Sequence, residues 1–496
     1  MIDRLHLAFP PIIEMTTSAT TSPARGNRAV VLTVAGAFFL LLLDASILNT
    51  SLPRVADSMG VKPLALSPTI TAYLLASVAT MPLSGWLSAK FGGRRVYFIA
   101  IALFTLASAA CGLAGNLWQL IVARILQGAA GGTMLTVGRA IALRDAPKSE
   151  LMSISSLLVW PALMAPVIGP PLGGWITTYA SWRWNFLLNV PLGLLALALI
   201  MRFVPKDEAS RDTPLDWRGA LLTVGGLAAL FGGLELTAQI PEHGGDWRAA
   251  AALIALGIAL LLVAARHLLH SAHPVISLAP LRVKTFALST FTAGTYSTMC
   301  LHATPYLLPL MFQLAFGASP AEAGAMLLPY FLGNLLIKSL TTPALRRFGF
   351  KAVLIVDGVL AMGFIALCGL VTAGTPWLVS AAILFAAGAA RSMLFTALNT
   401  LCFADIEPAE RNAASTLSSV SALLGQSLGI VVATLTLALV KAAGDRTALV
   451  AADFRIAFFV VAAIGLLTVL MYATLSAHAG EEVSGRVRAQ QRDTSH

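Results

Sequence analysis

A chain of 496 residues that is 57% hydrophobic and only 11% charged is too apolar for a water-soluble fold, because soluble domains carry roughly a quarter charged residues. A formal charge of +10 fits either nucleic acid or a membrane whose cytoplasmic loops are basic, so the placement of Lys and Arg decides between them. The cysteines, Cys111, Cys300, Cys368 and Cys402, lie within or at the end of apolar runs without paired ligand spacing. They read as small packing residues, and neither a disulfide nor a metal site is expected.

Residues 1–27 form a polar, Ser/Thr-rich segment with no cleavable signal pattern, read as a cytoplasmic tail. Met15, followed by Thr16, Thr17 and Ser18, is an alternative start. Apolar runs of about twenty residues then recur, the length a helix needs to span a hydrocarbon core. They predict helices over 28–51, 66–88, 96–114, 117–139, 152–178, 185–203, 216–238, 248–268, 284–314, 320–344, 351–373, 377–402, 412–440 and 454–476. The expected fold is therefore an all-α polytopic membrane protein with fourteen spans and a polar tail over 477–496. Of the 33 Lys and Arg residues, twenty-three fall on the side carrying both termini, seven on the other, and Arg124, Lys338 and Arg391 fall inside the membrane. That asymmetry places both termini in the cytoplasm and removes the need for a nucleic-acid partner.

The loop after the second helix, Ala89-Lys90-Phe91-Gly92-Gly93-Arg94, is echoed after the tenth by Arg346-Arg347-Phe348-Gly349-Phe350-Lys351. The echo implies two six-helix bundles, 28–203 and 284–476, with a linker over 204–283 that carries two extra helices.

Ionisable groups inside hydrocarbon are costly and are the first place to look for function. Asp44 lies sixteen residues from Arg28, and Arg124 fifteen from Arg139, which puts both at about 23 Å from the same membrane face. At equal depth they can pair, as a static structural ion pair or as a proton switch in which loss of the arginine invites a proton onto the carboxylate. Gln127 and Asn49 extend the same polar region, by network or by ordinary interhelical hydrogen bonds. In the second bundle, Lys338 and Arg391 have only Asp357 as an obvious carboxylate partner. This leaves either net positive charge in the cavity, suited to anions, or snorkelling side chains with local pairing. Ala165-Pro166-Val167-Ile168-Gly169-Pro170-Pro171-Leu172-Gly173-Gly174 on the fifth helix combines close-packing glycines with helix-bending prolines, a natural rocking seam. The chain has no Gly-Lys dipeptide, hence no phosphate-binding Walker loop. No nucleophile or Cys/His constellation is present, His302 reads as a lone interior histidine, and no enzyme activity is expected.

With these motifs the chain resembles the major facilitator superfamily, and within it the fourteen-helix drug:proton antiporter group of EmrB and QacA types. The resemblance rests on Leu43-Asp44-Ala45-Ser46-Ile47-Leu48-Asn49-Thr50-Ser51-Leu52-Pro53, on Arg124-Ile125-Leu126-Gln127-Gly128, and on the fifth-helix run. Gln313, Gly317, Ser319-Pro320, Ala323-Gly324, Pro329 and Glu410-Arg411-Asn412-Ala413-Ala414-Ser415 extend it over nearly the whole chain. Ala180-Ser181-Trp182, Asn189-Val190-Pro191 and Lys338 narrow it to one exporter type. The gating motif Gly85-Trp86-Leu87-Ser88-Ala89-Lys90-Phe91-Gly92 departs from the family at Ala89, where an aspartate is usual, so a gate latch built on Gly85, Gly92, Arg94 and Arg95 is expected to be weaker or to rest on other contacts.

The resemblance implies proton-coupled efflux by alternating access in the cell inner membrane. Asp44 and Arg124 would couple protons, and Asn49, Tyr73, Gln127, Trp160, Lys338 and Arg391 are candidates for the substrate cavity. Pro166, Gly169, Pro170, Gly173 and Gly174 would form the moving seam. No cofactor is implied beyond the proton motive force. The expected partners are a small-molecule substrate, protons, the lipid bilayer and, as candidates, periplasmic adaptor proteins around a monomer. Amphipathic drugs are the first substrate class, organic anions or carboxylate metabolites the second, and a non-transporting sensor or channel the third reading.

Overall fold

The computed structural model describes residues 25–144, 151–206, 214–243, 246–271, 274–407, 410–476 and 479–480, and every regular element among them is helical. Most of the two expected tails lies outside the described residues. In chain order the long helices are α1 Arg25–Ile47, α2 Ser67–Phe91, α3 Gly93–Leu113, α4 Leu117–Arg144, α5 Leu151–Tyr179, α6 Asn189–Phe203 and α7 Trp217–His243. They continue with α8 Trp247–His270, α9 Ala293–Leu310, α10 in two segments Pro320–Leu336 and Lys338–Phe348, α11 Phe350–Cys368, α12 Trp377–Ala404, α13 Arg411–Ala443 and α14 Ala451–Ala473.

Among the described residues eleven helices are long and apolar enough to cross a membrane, or twelve when the segments of α10, bent by 45°, count as one. The expected fourteen is thus met only roughly. The first turns of α5 carry side chains outside the described residues. The helix expected over 284–314 is broken, because Lys284–Thr290 stops before α9 begins at Ala293. Hydroxyls stabilise that break: Thr295 Oγ1 and Ser421 Oγ both donate to the Thr290 carbonyl, at 2.8 and 2.5 Å.

Helix pairing repeats along the chain. In the first set α1 packs on α5, α2 on α4, α3 on α4 and α3 on α6; in the second, α9 packs on α13, α10 on α12, α11 on α12 and α11 on α14. Each contact recurs eight helices later, the mark of a duplicated bundle. The two sets meet along two seams, α2 with α13 and α5 with α10. The echoed loops share a conformation as well: α2 and the second segment of α10 both stop at a glycine of positive φ, Gly92 at 86° and Gly349 at 80°. Only glycine adopts these values without Cβ strain. Helices α7 and α8 pack on each other, and α7 lies across the first seam, with Leu227 and Phe231 against Val78 of α2 and Val420 of α13.

At the end of the molecule opposite the basic loops, the second seam is tight. A Cβ on Gly174 would land on the Pro320 carbonyl, and one on Gly324 on the Pro170 carbonyl, so two backbones touch where side chains are absent. Gln313 Nε2 donates to the Thr50 carbonyl at 2.9 Å, and the Ala321 amide donates to Thr178 Oγ1 at 3.0 Å, both across the bundles. At the basic end the bundles separate around a solvent-open cleft of about 2140 Å³ that includes Gly85, Trp86, Arg139, Asp216, Arg411 and Ser415 in its lining. Adding a methyl group at the tight contact therefore separates the sealed ends. Spin labels introduced by Tyr179→Cys and Glu322→Cys should show a longer distance by double electron–electron resonance when Gly174→Ala is added. Gly36→Ala, which has open space around it, should leave that distance unchanged.

Asp216, just outside the membrane at the start of α7, ties the inserted pair together. Its Oδ1 accepts the Gly219 amide at 2.9 Å and lies 2.7 Å from His267 Nε2 on α8, while Oδ2 accepts the Val275 amide at 3.3 Å. Burial alone would raise its pKa, but the hydrogen bonds from Gly219, His267 and Val275 hold it below the ordinary carboxylate value. A depressed native value means stability that is fully present above the unfolded value of about 4 and is lost as pH falls through the native one. The difference in unfolding temperature between wild type and Asp216→Asn, followed by calorimetry in detergent, should be large at about pH 5 and shrink as pH falls below about 4.

Candidate functional site

Asp44 sits one turn before the end of α1 and Arg124 two turns into α4, and the packing of these helices brings them together in the middle of the first bundle. Arg124 Nη1 donates to Asp44 Oδ2 at 2.8 Å, and both side chains are only 1% exposed. The carboxylate gains two further donors on its other oxygen, Gln127 Nε2 at 2.9 Å and Asn189 Nδ2 at 2.6 Å. The guanidinium is satisfied in turn by Gln127 Oε1 at 2.8 Å and by the Thr69 carbonyl of α2 at 3.2 Å, with its carbon 4.0 Å from the centroid of the Tyr73 ring. Asn189 also donates to Ser108 Oγ at 2.9 Å, and Ser108 to the Phe186 carbonyl at 2.9 Å. Four side chains from α1, α4 and α6, with α2 and α3 behind them, thus form one closed, buried network around the ion pair. Satisfaction of this kind is what a buried charge requires.

The network lies inside the first bundle. Tyr73 and Gln127, expected on a cavity wall, are enclosed in that bundle's interior. Asn49 is half-buried in the turn Leu48–Thr50 and forms none of the network's bonds. The Trp160 side chain lies outside the described residues. Gly169 and Gly173 let α5 approach α1, where a Cβ would meet Ser46 and the Ile47 carbonyl, and Ser46 Oγ donates to the Ala165 carbonyl at 3.1 Å. Pro166 is half-buried on this helix, which continues unbroken through it, and the Pro170 carbonyl accepts from Thr50 Oγ1 at 3.4 Å. Of the gating motif, Gly85 borders the open cleft, Arg94 Nη2 donates to the Met201 carbonyl at 2.8 Å, and Arg95 is exposed. Where the family's aspartate would stand, Ala89 leaves Lys90 stacked on Trp86, 4.7 Å from the ring centroid.

The second bundle is charged differently. Arg391 on α12 donates from Nε to the Leu301 carbonyl at 3.2 Å, and half-buried Lys338, opening the second segment of α10, is close enough for the two cations to repel. Asp357, expected as their partner, is not: it makes no ion pair among the described residues, and its Oδ2 has no hydrogen-bond partner. Helix α11 turns it into a groove on the outer wall of the bundle. His302 lies beside Arg391, bonded through Nδ1 to the Thr298 carbonyl at 2.9 Å.

The sequence alone singled out neither Asn185 nor Glu235, and it marked Asn189 only as part of a motif. Asn185 and Asn189, four apart on one helical face, supply buried donors; Asn185 Nδ2 binds Ser51 Oγ at 2.6 Å and Thr177 Oγ1 at 2.8 Å. Glu235, a carboxylate within the apolar run of α7, accepts from Ser67 and from Thr71 Oγ1, the latter at 3.1 Å, at the start of α2. The i, i+4 spacing of the asparagines and the rarity of an acid within a span were the signals available.

The Major Facilitator Superfamily pattern matches residues 34–304 and 286–493, which together take in most of the chain. The chain belongs to the major facilitator superfamily. A relative from Escherichia coli O6:H1 (strain CFT073), named "Putative multidrug resistance protein MdtD", is 34% identical over 408 residues, covering 82% of this chain and 85% of the relative. Similarity to that exporter type agrees with the segments around Trp182, Asn189 and Lys338. The crystal structure of a D-xylose-proton symporter superposes with a TM-score of 0.61 at 16% identity, covering 90% of this chain and 97% of that one. That of the human organic anion transporter MFSD10 (TETRAN) gives 0.57 at 17%, covering 90% and 99%. These two likenesses show the fold. The chain is thus a multi-pass membrane transporter of this superfamily, similar to MdtD.

Removing one member of the ion pair strands the other. Arg124→Leu should lower stability by about 3–5 kcal/mol, and adding Asp44→Asn should restore part of that loss. Thermal unfolding of the purified variants in detergent measures both.

Proposed function

We propose that this major facilitator is a proton-coupled antiporter that exports small amphipathic compounds from the cytoplasm by alternating access. The observation that carries the reading is the buried Asp44 carboxylate held by Arg124, Gln127 and Asn189. A carboxylate whose three donors come from side chains on two other helices is sensitive to their relative position: as the helices part, donors are lost and a proton replaces them. Two residues further along α1, Ser46 is bonded to α5, and α5 makes the tight contact with α10 at the sealed end. Protonation at Asp44 and opening of the seam are therefore linked through one helix. With the basic loops in the cytoplasm, the open cleft faces the cell interior and is positioned to load substrate. The multidrug resistance names of the relatives support amphipathic substrates.

A second reading, export of organic anions, is favoured by Lys338 and Arg391, two neighbouring cations without a carboxylate partner among the described residues. Both readings are tested together in inside-out vesicles carrying an imposed pH gradient, with lipophilic cations screened against organic acids. The expected result is that a lipophilic cation dissipates the gradient in wild type and has no effect in Asp44→Asn. If Asp44→Asn behaves as wild type, Asp44 is structural and coupling lies elsewhere. If only organic acids respond, and Arg391→Ala abolishes that response, the anion reading replaces the first.

A further inference from the structure

The bend of α10 opens a groove of about 1240 Å³ on the outer wall of the second bundle. Ile337 and Phe348 of α10, Val356 and Leu360 of α11, and Phe385 and Met393 of α12 form its walls. Phe348, Val356, Leu360 and Phe385 are exposed on helices that span the bilayer, so the groove opens toward lipid rather than toward the cleft between the bundles. Its lining is apolar with one exception, Asp357, which is 93% buried by its 7% exposure and whose Oδ2 has no hydrogen-bond partner. Neither Lys338 nor Arg391 forms an ion pair with it among the described residues.

The Leu394 backbone offers the Asp357 carboxyl one hydrogen bond, but Oδ2 keeps no partner, and a bare carboxylate oxygen in a hydrocarbon-walled groove is unfavourable. An acyl chain would fill the walls and leave the oxygen bare. A lipid headgroup does not reach it, because Asp357 lies seven residues into α11, about 10 Å below the helix end. A free amphipathic amine satisfies both features, its alkyl or aryl body against Val356, Leu360 and Phe385 and its ammonium on the carboxylate through a charge-assisted hydrogen bond. We propose that this groove is a bilayer-facing binding site for lipophilic amines, with Asp357 as the counter-ion, separate from the cleft between the bundles and from the Asp44 network. The site is defined by binding and stands whether or not the protein exports such compounds.

The test uses the full chain in nanodiscs of phosphatidylglycerol and phosphatidylcholine, with dodecylamine bearing a chain diazirine as probe and the matching dodecanol as neutral control. After irradiation, peptide mass spectrometry should find the amine on the segments containing Val356, Leu360 or Phe385. Labelling should fall at least tenfold in Asp357→Asn while labelling by the alcohol is unchanged. Leu360→Trp, which fills the groove and keeps the carboxylate, should abolish labelling by both. Equal amine labelling in wild type and Asp357→Asn would overturn the proposal in favour of simple acyl-chain filling. Displacement of the probe by added phosphatidylethanolamine would overturn it in favour of a lipid headgroup. Should Asp357→Asn fail to fold, excess unlabelled dodecylamine must displace the labelled amine from wild type far more effectively than the same excess of dodecanol, and equal displacement by the two also overturns the assignment.

Discussion

An ion pair buried from solvent has to find its hydrogen-bond partners within the protein, and the first bundle is arranged around meeting that demand for Asp44 and Arg124. The carboxylate takes donors from α4 and α6, and the arginine takes acceptors from α1, α2 and α4 and rests on the Tyr73 ring. Desolvating two charges is so costly that such a pair adds little net stability, but losing one partner is severe. The network therefore acts less as glue than as a constraint on register: α1, α4 and α6 can hold only relative positions in which all the bonds close. In the antiport cycle proposed above, proton uptake is the event that relaxes that constraint, a small chemical change with leverage over helix packing.

Duplication gave both bundles the same pairing scheme but not the same charges. Helices α4 and α12 are equivalent in the pairing scheme, and each carries an arginine. In the first bundle the arginine meets a carboxylate; in the second it meets a backbone carbonyl and a neighbouring lysine, while the carboxylate of α11 faces outward. The symmetry of the scaffold is therefore broken at the level of chemistry. The ion pair is enclosed in one bundle, whereas in the other two neighbouring cations have no carboxylate partner among the described residues.

Much of this was legible in the amino-acid sequence because membranes impose a one-dimensional code of apolar length and basic loops. Equal depth from the basic end was enough to pair Asp44 with Arg124, and the repeated Phe-Gly loops anticipated the two bundles. What escaped depends on rotation about helix axes. Depth does not say whether Tyr73 and Gln127 face a cavity or a neighbouring helix, or that Asp357 turns into a groove on the outer wall of its bundle. Asn189 was visible as part of a motif, but its role follows only from a bond to Asp44 spanning 145 residues. The break before α9 is likewise set by hydroxyls on α9 and α13 that local sequence does not reveal as a pair.

The inserted helices have a consequence for traffic. Helix α7 lies along the seam of α2 and α13, with α8 packed on it, and Leu227 and Phe231 of α7 bridge both sides of the seam. No such covering helix lies along the seam of α5 and α10 among the described residues. A bundle pair of this kind has two flanks through which a molecule dissolved in the lipid leaflet could slip sideways into the interior. Sheathing one flank turns a two-sided corridor into a room with a single side door, so compounds arriving from the leaflet meet the α5 and α10 face first. The extra helices thereby leave the bundle pair unequally walled within the plane of the membrane, one flank double and the other single among the described residues.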